Sequence, residues 1–225
     1  MPRIESCLDA LNAAGWFSTL DLRSGYWQGR QDPRDDDKTA FISRRGCFRF
    51  RVMSFGLTNA PSVFQRLMDL VLTALTWDIC LVYIDDVIVF SSSFEEHARG
   101  LEFVLQRQRI IGFFTSMRYI NLHLTFAHLK LKPSKCAFFR RQIKLSGHIV
   151  SDRGVETDPE KIAAVKDWPV PRCLSDFRTH LGFCRYYHRF VRGFADIAAQ
   201  LHELTKKSRQ FVWIAECQRS FDWLK

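Results

Sequence analysis

The sequence has no run of about eighteen apolar residues, the length a membrane-spanning helix needs. Its opening residues, Met1-Pro2-Arg3-Ile4-Glu5, lack the apolar segment of a secretory signal peptide. None of the seven cysteines stands in a C-x-x-C pair, and the seven histidines form no H-E-x-x-H. Zinc-finger and metalloprotease spacings are therefore excluded. An odd number of cysteines without a signal peptide predicts reduced thiols in an intracellular, unsecreted protein. The composition of a disordered chain is missing too. Of the 225 residues 47% are hydrophobic and 25% charged, which suits one or two domains with a buried core. Acids are the scarcer charge: Lys+Arg number 33 against 24 Asp+Glu, a formal net charge of +9. That excess fits a polyanionic partner, and equally a merely basic surface.

The acids that are present include one conspicuous pair. In Cys80-Leu81-Val82-Tyr83-Ile84-Asp85-Asp86-Val87-Ile88-Val89-Phe90-Ser91, two β-branched or aromatic runs flank Asp85-Asp86. Such runs read as buried strands, and the acidic break between them as a tight hairpin turn. Neither acid is the Gly that a turn built for folding alone prefers. The chemical reading is metal: two Mg²⁺ ions about 3.5–4 Å apart, held by carboxylates, can clamp an in-line phosphoryl transfer. The plain reading is a solvated acidic turn. A third acid, Asp21, stands near the end of another strand-like run, Trp16 to Gln28.

Periodicity places the remaining elements. Ile4, Leu8, Leu11 and Ala14 predict an amphipathic helix within residues 1–15. After the Phe55-Gly56 loop a helix is expected, with Thr58 or Asn59 as cap and Pro61 in the first turn. Val63, Phe64, Leu67, Leu70, Val71 and Ala74 are its predicted core face. Ser92 to Glu96 reads as a capping box, and Phe94, Ala98, Leu101, Val104 and Leu105 as the buried stripe that follows. Lys38–Phe41 and Phe48–Val52 alternate as strands do. A hairpin with its turn at Ser151–Gly154 follows, the plain reading of His148 being an exposed ring. Thr157 to Glu160 opens a helix to about Trp168, with further helices after Cys173 and after Arg192.

Asp21 in LDLRSGYWQ, FGLTNAPSVFQRLMD from Phe55 to Asp69, and YIDD from Tyr83 to Asp86, in that order, resemble the reverse transcriptases of Gypsy-type LTR retrotransposons. LKLKPSKCAFF (Leu129 to Phe139) and LSGHIVSDRGV (Leu145 to Val155) continue the resemblance. TDPEKIAAVKDWPVP and LGFCRYYHRFVRGFADIAAQL carry it to Leu201. It implies an RNA-directed DNA polymerase fragment of a Pol polyprotein. The implied fold is α+β: a palm of antiparallel sheet with helices on one face, partial fingers and a helical thumb. Residues 1–155 would be palm with fingers at about 29–55, and residues 156–225 thumb or connection.

The resemblance also assigns roles. Asp21, Asp85 and Asp86 become the catalytic carboxylates and the ligands of two Mg²⁺, with Mn²⁺ as substitute. Tyr26 becomes the ring that excludes a sugar 2′-hydroxyl, with Phe55 and Gly56 beside the incoming nucleotide. Leu145, Gly147 and His148 become the primer grip. The implied partners are an RNA or DNA template with primer and deoxynucleoside triphosphates, with no membrane. Ribonuclease H, integrase and protease domains are expected in the complete element, in the cytoplasm or in a retroelement particle. More fingers, carrying basic residues for the triphosphate, are expected ahead of residue 1. Arg44, Arg45, Phe48, Arg49, Phe50 and Arg51 could face a template or solvent. Lys161, Lys166, Arg172, Arg178, Arg185, His188, Arg189 and Arg192 would grip duplex phosphates. Two departures stand out. Ser54 replaces a common Pro, and Arg107 to Ala127 matches nothing in the family, as a functional insertion, an intron translated in frame or a decayed copy would. Two function classes stay open: an active polymerase, and an inactive remnant that only binds nucleic acid.

Overall fold

The computed structural model describes residues 2–110, 129–205 and 211–225. The unmatched segment thus lies outside the described residues, except for Arg107–Ile110 at a helix end. The chain divides into two compact units, Met1–Val155 and Glu156–Lys225.

In the first unit the order is α1 (Ile4–Leu11), β1 (Trp16–Asp21), β2 (Phe41–Ser43), β3 (Gly46–Phe48) and α2 (Ala60–Val71). Then come β4 (Cys80–Tyr83), β5 (Asp86–Ser91), α3 (Phe94–Ile110), β6 (Ala137–Arg140), β7 (Gln142–Leu145), β8 (His148–Ser151) and β9 (Gly154–Thr157). Four strands form an antiparallel sheet in the order β4-β5-β1-β6. Residues 80–82 and 87–89 are continuously apolar because both faces of the sheet are covered there. Cys80, Val82, Val87 and Val89 join Phe64, Met68, Leu101 and Val104 of α2 and α3 in one core. Leu81, Ile88 and Phe17 point the other way, onto Leu8 and Leu11 of α1 and Ile143, Leu145 and Val150 of the β7–β8 hairpin. The two-residue alternation along β4 and β5 sorts their side chains between these cores.

Buried polar contacts set the register. Ser18 Oγ and His97 Nε2 lie 2.7 Å apart, and the Phe139 N–H donates to Ser18 Oγ at 3.0 Å. This pins α3 and β6 to β1 where the β1–β6 register shifts between Phe17 and Thr19.

Several expectations need correction. The β4–β5 turn is Ile84-Asp85, one residue earlier than the acidic pair implies, because Asp86 already pairs with Tyr83. On α2, Val63 and Leu70 are exposed, as is Ala74 beyond it, while Gln65 and Met68 take core positions. Asn59 at the N-cap makes no side-chain cap bond. On α3, Phe94 is exposed and packs edge-on to Trp16, and His97 is buried in its stead. The Ser92–Glu96 box does form: Ser93 Oγ accepts from the Glu96 N–H, and Ser92 donates to the Glu96 carboxylate. β2 and β3 lie inside the interval between the two strands expected there. The turn expected at Ser151–Gly154 does join β8 to β9; a further turn at Ser146-Gly147 precedes β8, and His148 is buried rather than exposed.

The second unit contains α4 (Pro159–Lys166), α5 (Leu174–Tyr186), α6 (Phe194–Glu203) and α7 (Ala215–Trp223). Asp158 caps α4 by accepting from the Glu160 N–H, and α4 stops two residues before Trp168. Phe177, Leu181, Cys184, Ala198, Leu201, Cys217 and Leu224 form its core.

Candidate active site

β1 and β5 run antiparallel with Asp21 directly opposite Asp86. Tyr83 lies opposite Asp86 on the other side, so Asp85 occupies the turn immediately before that row. Like charges placed opposite one another destabilise a sheet, so folding alone gives no reason for this pairing. The turn is strained as well. Ile84 has φ +57°, a left-handed conformation that a β-branched residue seldom adopts.

Electrostatics follow from the crowding. Burial raises the Asp85 carboxyl above the usual range, and the Asp21 charge raises it further. Asp86 is raised by burial, then by Asp21 and Asp85. Its side chain is open to solvent, so the neighbouring charges are the stronger reason there. Asp85 Oδ1 is buried with no hydrogen-bond partner among the described residues. Lys135 opposes the crowding: its Nζ lies 3.3 Å from Asp21 Oδ2, and its charge lowers both Asp85 and Asp86.

Lys135 arrives from far along the chain by backbone stapling. The Lys132 N–H donates to the Asp21 carbonyl at 2.8 Å, and the Arg23 N–H to the Lys130 carbonyl at 2.7 Å. Gln28 reinforces this: its Nε2 donates to the carbonyls of Arg23 and Lys130, and its Oε1 accepts from the Lys130 N–H. The sequence reading missed Gln28 and Lys135 as parts of the site, and 114 residues separate Lys135 from Asp21.

The remaining candidates divide. Tyr26 is buried beside Phe64 and Phe55, with ring centroids 5.4 Å from each, and its phenol lies within reach of the Asp85 charge. Burial first, then the Asp85 charge, raises its phenol. A Cβ on Gly25 would sit 2.9 Å from Phe64 Cζ, so the close approach of this turn to α2 requires glycine. Phe55 is 58% exposed and offers a free ring edge next to Tyr26. Gly56 follows Phe55 in the same loop. A Cβ there meets nothing within 4 Å, and its φ of +88° is what calls for glycine. Leu145 and His148 are buried, at 2% and 1% exposure, so the Gly147 turn is what that hairpin presents outward. Tyr26, Phe55, Asp85, Asp86 and Asp21 form one cluster, whereas Leu145 belongs to the core on the opposite face of the sheet.

An antiparallel sheet with paired acids at one hairpin, a helix-borne aromatic loop beside it and a separate helical unit is the architecture of a polymerase palm with its accessory helices. Residues 1–150 match the family model described as reverse transcriptase (RNA-dependent DNA polymerase), and the chain belongs to that family. It is 36% identical over 225 residues to the retrovirus-related Pol polyprotein from transposon 412 of Drosophila melanogaster, covering all of this chain and 17% of that protein. To the corresponding polyprotein from transposon gypsy of the same organism it is 37% identical over 206 residues, 92% of this chain and 18% of that one. The chain thus spans less than a fifth of the length of these curated relatives. Among solved structures, a foamy viral protease-reverse transcriptase in complex with double-stranded DNA matches with TM-score 0.82 at 21% identity, over 100% of this chain and 37% of that one. A complex of the foamy viral enzyme with RNA/DNA hybrid matches with TM-score 0.74 at 20% identity, over 96% of this chain and 28% of that one. At these identities the likeness establishes the shared fold.

Proposed function

We propose that this chain carries the nucleotidyl-transfer centre of a retrotransposon Pol polyprotein and extends a primer on an RNA or DNA template. The observation that carries the proposal is the register that sets Asp21 opposite Asp86, with Asp85 in the adjoining turn. Three carboxylates supply hard oxygen donors, and the buried Oδ1 of Asp85, with no hydrogen-bond partner among the described residues, is open to a cation. Among the described residues no three acid, histidine or cysteine side chains already converge on one point. Uncompensated like charges hold carboxylates apart, and the donor set still fits Mg²⁺. Asp21, Asp85 and Asp86 would hold it. The chemistry that two Mg²⁺ ions would supply there is activation of a primer 3′-hydroxyl and neutralisation of charge on a pyrophosphate leaving group.

The rest is positioning by the chain. Tyr26, held by Phe64 and Phe55, sets a flat wall beside the acids where a sugar ring can lie. Phe55 offers an exposed ring to the adjoining base pair. Lys135 holds Asp21 in place against the repulsion of its neighbours. The basic residues of the second unit serve duplex phosphates, whose binding falls as salt rises.

The test is extension of a labelled primer on a defined template with Mg²⁺, wild type against Asp85→Asn. Incorporation by the wild type and none by the variant supports the reading. Equal background in both overturns it and leaves a chain that only binds nucleic acid.

A further inference from the structure

A polar side chain buried on a helix is there for its partners, and Gln65 has telling ones. It sits on α2, 5% exposed. Its Nε2 donates to Asp69 Oδ1 at 3.0 Å and to the Val82 carbonyl at 3.3 Å. Turned over, the amide would aim Oε1 at two acceptors, so chemistry fixes this orientation. Oε1 itself has no partner among the described residues, which leaves the two N–H bonds as the reason for the group.

The Val82 carbonyl is a particular place. β4 is an outer strand of the four-stranded sheet, so one row of its backbone groups lacks a strand partner. Val82 pairs with Val87 and Tyr83 with Asp86. Hydrogen-bonded and non-bonded pairs alternate along an antiparallel ladder, and a two-residue hairpin closes on a bonded pair. Tyr83–Asp86 is that closing pair, so the Val82 carbonyl turns outward to Gln65. The next residue but one is Ile84, whose left-handed conformation persists only where its surroundings enforce it. Val82 is 2% exposed, so water does not replace a lost donor at its carbonyl.

We propose that Gln65 is a positioning residue: it clamps the outer strand of the acidic hairpin to α2 and so holds Asp85 and Asp86 in place against Asp21. The functional side of this rests on the reading of those acids as the reacting centre. The clamp does not.

The test uses the whole chain with Gln65→Met and Gln65→Glu, which keep the side-chain length and remove the donor. Amide hydrogen exchange of residues 82–87 should quicken about tenfold in both variants, with residues 16–20 of β1 unchanged. Primer extension should show kcat for one incorporation reduced about tenfold, with the nucleotide KM and primer–template affinity within about twofold of wild type. Unchanged exchange in residues 82–87 of a folded variant overturns the clamp. Loss of the native state in both variants also overturns it, in favour of a packing role. If exchange quickens but the wild type extends no primer, the clamp stands and the polymerase reading falls. If the wild type extends primers and exchange is unaltered, the reverse holds.

Discussion

Two hairpins of the first unit, each with a two-residue turn, are built on opposite logic. The β7–β8 turn is Ser146-Gly147, with φ +46° and +79°. Gly takes the second left-handed position, as a turn matched to strand twist asks. The β4–β5 turn is Ile84-Asp85, with φ +57° at a β-branched residue and a buried, unpartnered carboxylate oxygen next to it. Both hairpins pack into the same unit, so the difference is not one of environment. One turn satisfies the backbone. The other accepts strain and like-charge crowding that nothing in folding repays, which is the signature of a functional site.

The largest effect expected from this contrast is chemical. Asp85→Asn should lower incorporation by about a thousandfold or more, since it removes a charge that the transition state depends on. The unfolding midpoint should stay level or rise. The charge that the substitution removes is one that its setting disfavours. A matching loss of stability would make the hairpin structural and erase the contrast.

Next in size is pH, which separates the acidic hairpin from the helical unit. His180 of α5 is fully buried, beside Trp168 and Phe221. Burial first, then the Lys225 charge, lowers its pKa to about 4. The unfolded chain therefore takes up a proton before the folded one does. The His180 contribution is complete above about pH 6.5 and is lost as pH falls toward 4, by roughly 3 kcal/mol. Asp85 and Asp86 have the opposite sign. Their folded pKa values are raised, so they destabilise at neutral pH and this penalty fades as pH falls through the carboxylate range. Within the same unit the buried His97, also lowered by burial, works against them. Hydrogen exchange resolved by unit should show residues 174–224 losing protection first on acidification. His180→Leu should flatten that loss.

Sequence legibility follows the same divide. The strands around the acids could be read because runs buried on both faces are continuously apolar, and the acids stand out against them. The phase of the turn could not. Polarity marks Asp85-Asp86 as the break, but the backbone turns at Ile84, the residue composition rates least suited to it. Gln65 was passed over on α2 for Val63 and Leu70 because periodicity weighs hydrophobicity alone, and Gln65 is buried for a hydrogen bond to β4. His97, which that periodicity leaves off the buried stripe of α3, is buried too, and so is His148, whose plain reading was an exposed ring. The fold itself, α+β with an antiparallel palm sheet, was within reach of the motifs. Lys135 was not, since its place over Asp21 depends on Gln28 joining two segments of chain.

Smaller effects test the turns directly. Gly147→Ala should destabilise by about 1–2 kcal/mol in urea unfolding, because a side chain is added at a left-handed position. Ile84→Asn should do the reverse and stabilise by about 1 kcal/mol, as Asn tolerates that region. Equal signs for the two would mean that the Ile84 conformation is relaxed, and the contrast between the hairpins would fail.

The smallest expected change is at Lys135. Its side chain is 58% exposed and its pair with Asp21 is long at 3.3 Å, so solvent screens the attraction. Lys135→Met should cost less than about 1 kcal/mol of stability without divalent cations. The informative quantity is the response to Mg²⁺. The lysine is the positive charge that opposes the crowding of all three acids, so it and an arriving cation answer the same repulsion. With the lysine gone, the carboxylates repel more strongly and a bound cation relieves more. Because a ligand that binds only the folded state raises its stability by mass action, the rise in Tm on adding Mg²⁺ should be larger for Lys135→Met than for wild type. Lys135→Arg should behave as wild type. An equal rise in all three proteins would place the cation away from Asp21, and the acidic hairpin would then owe its strain to something other than metal.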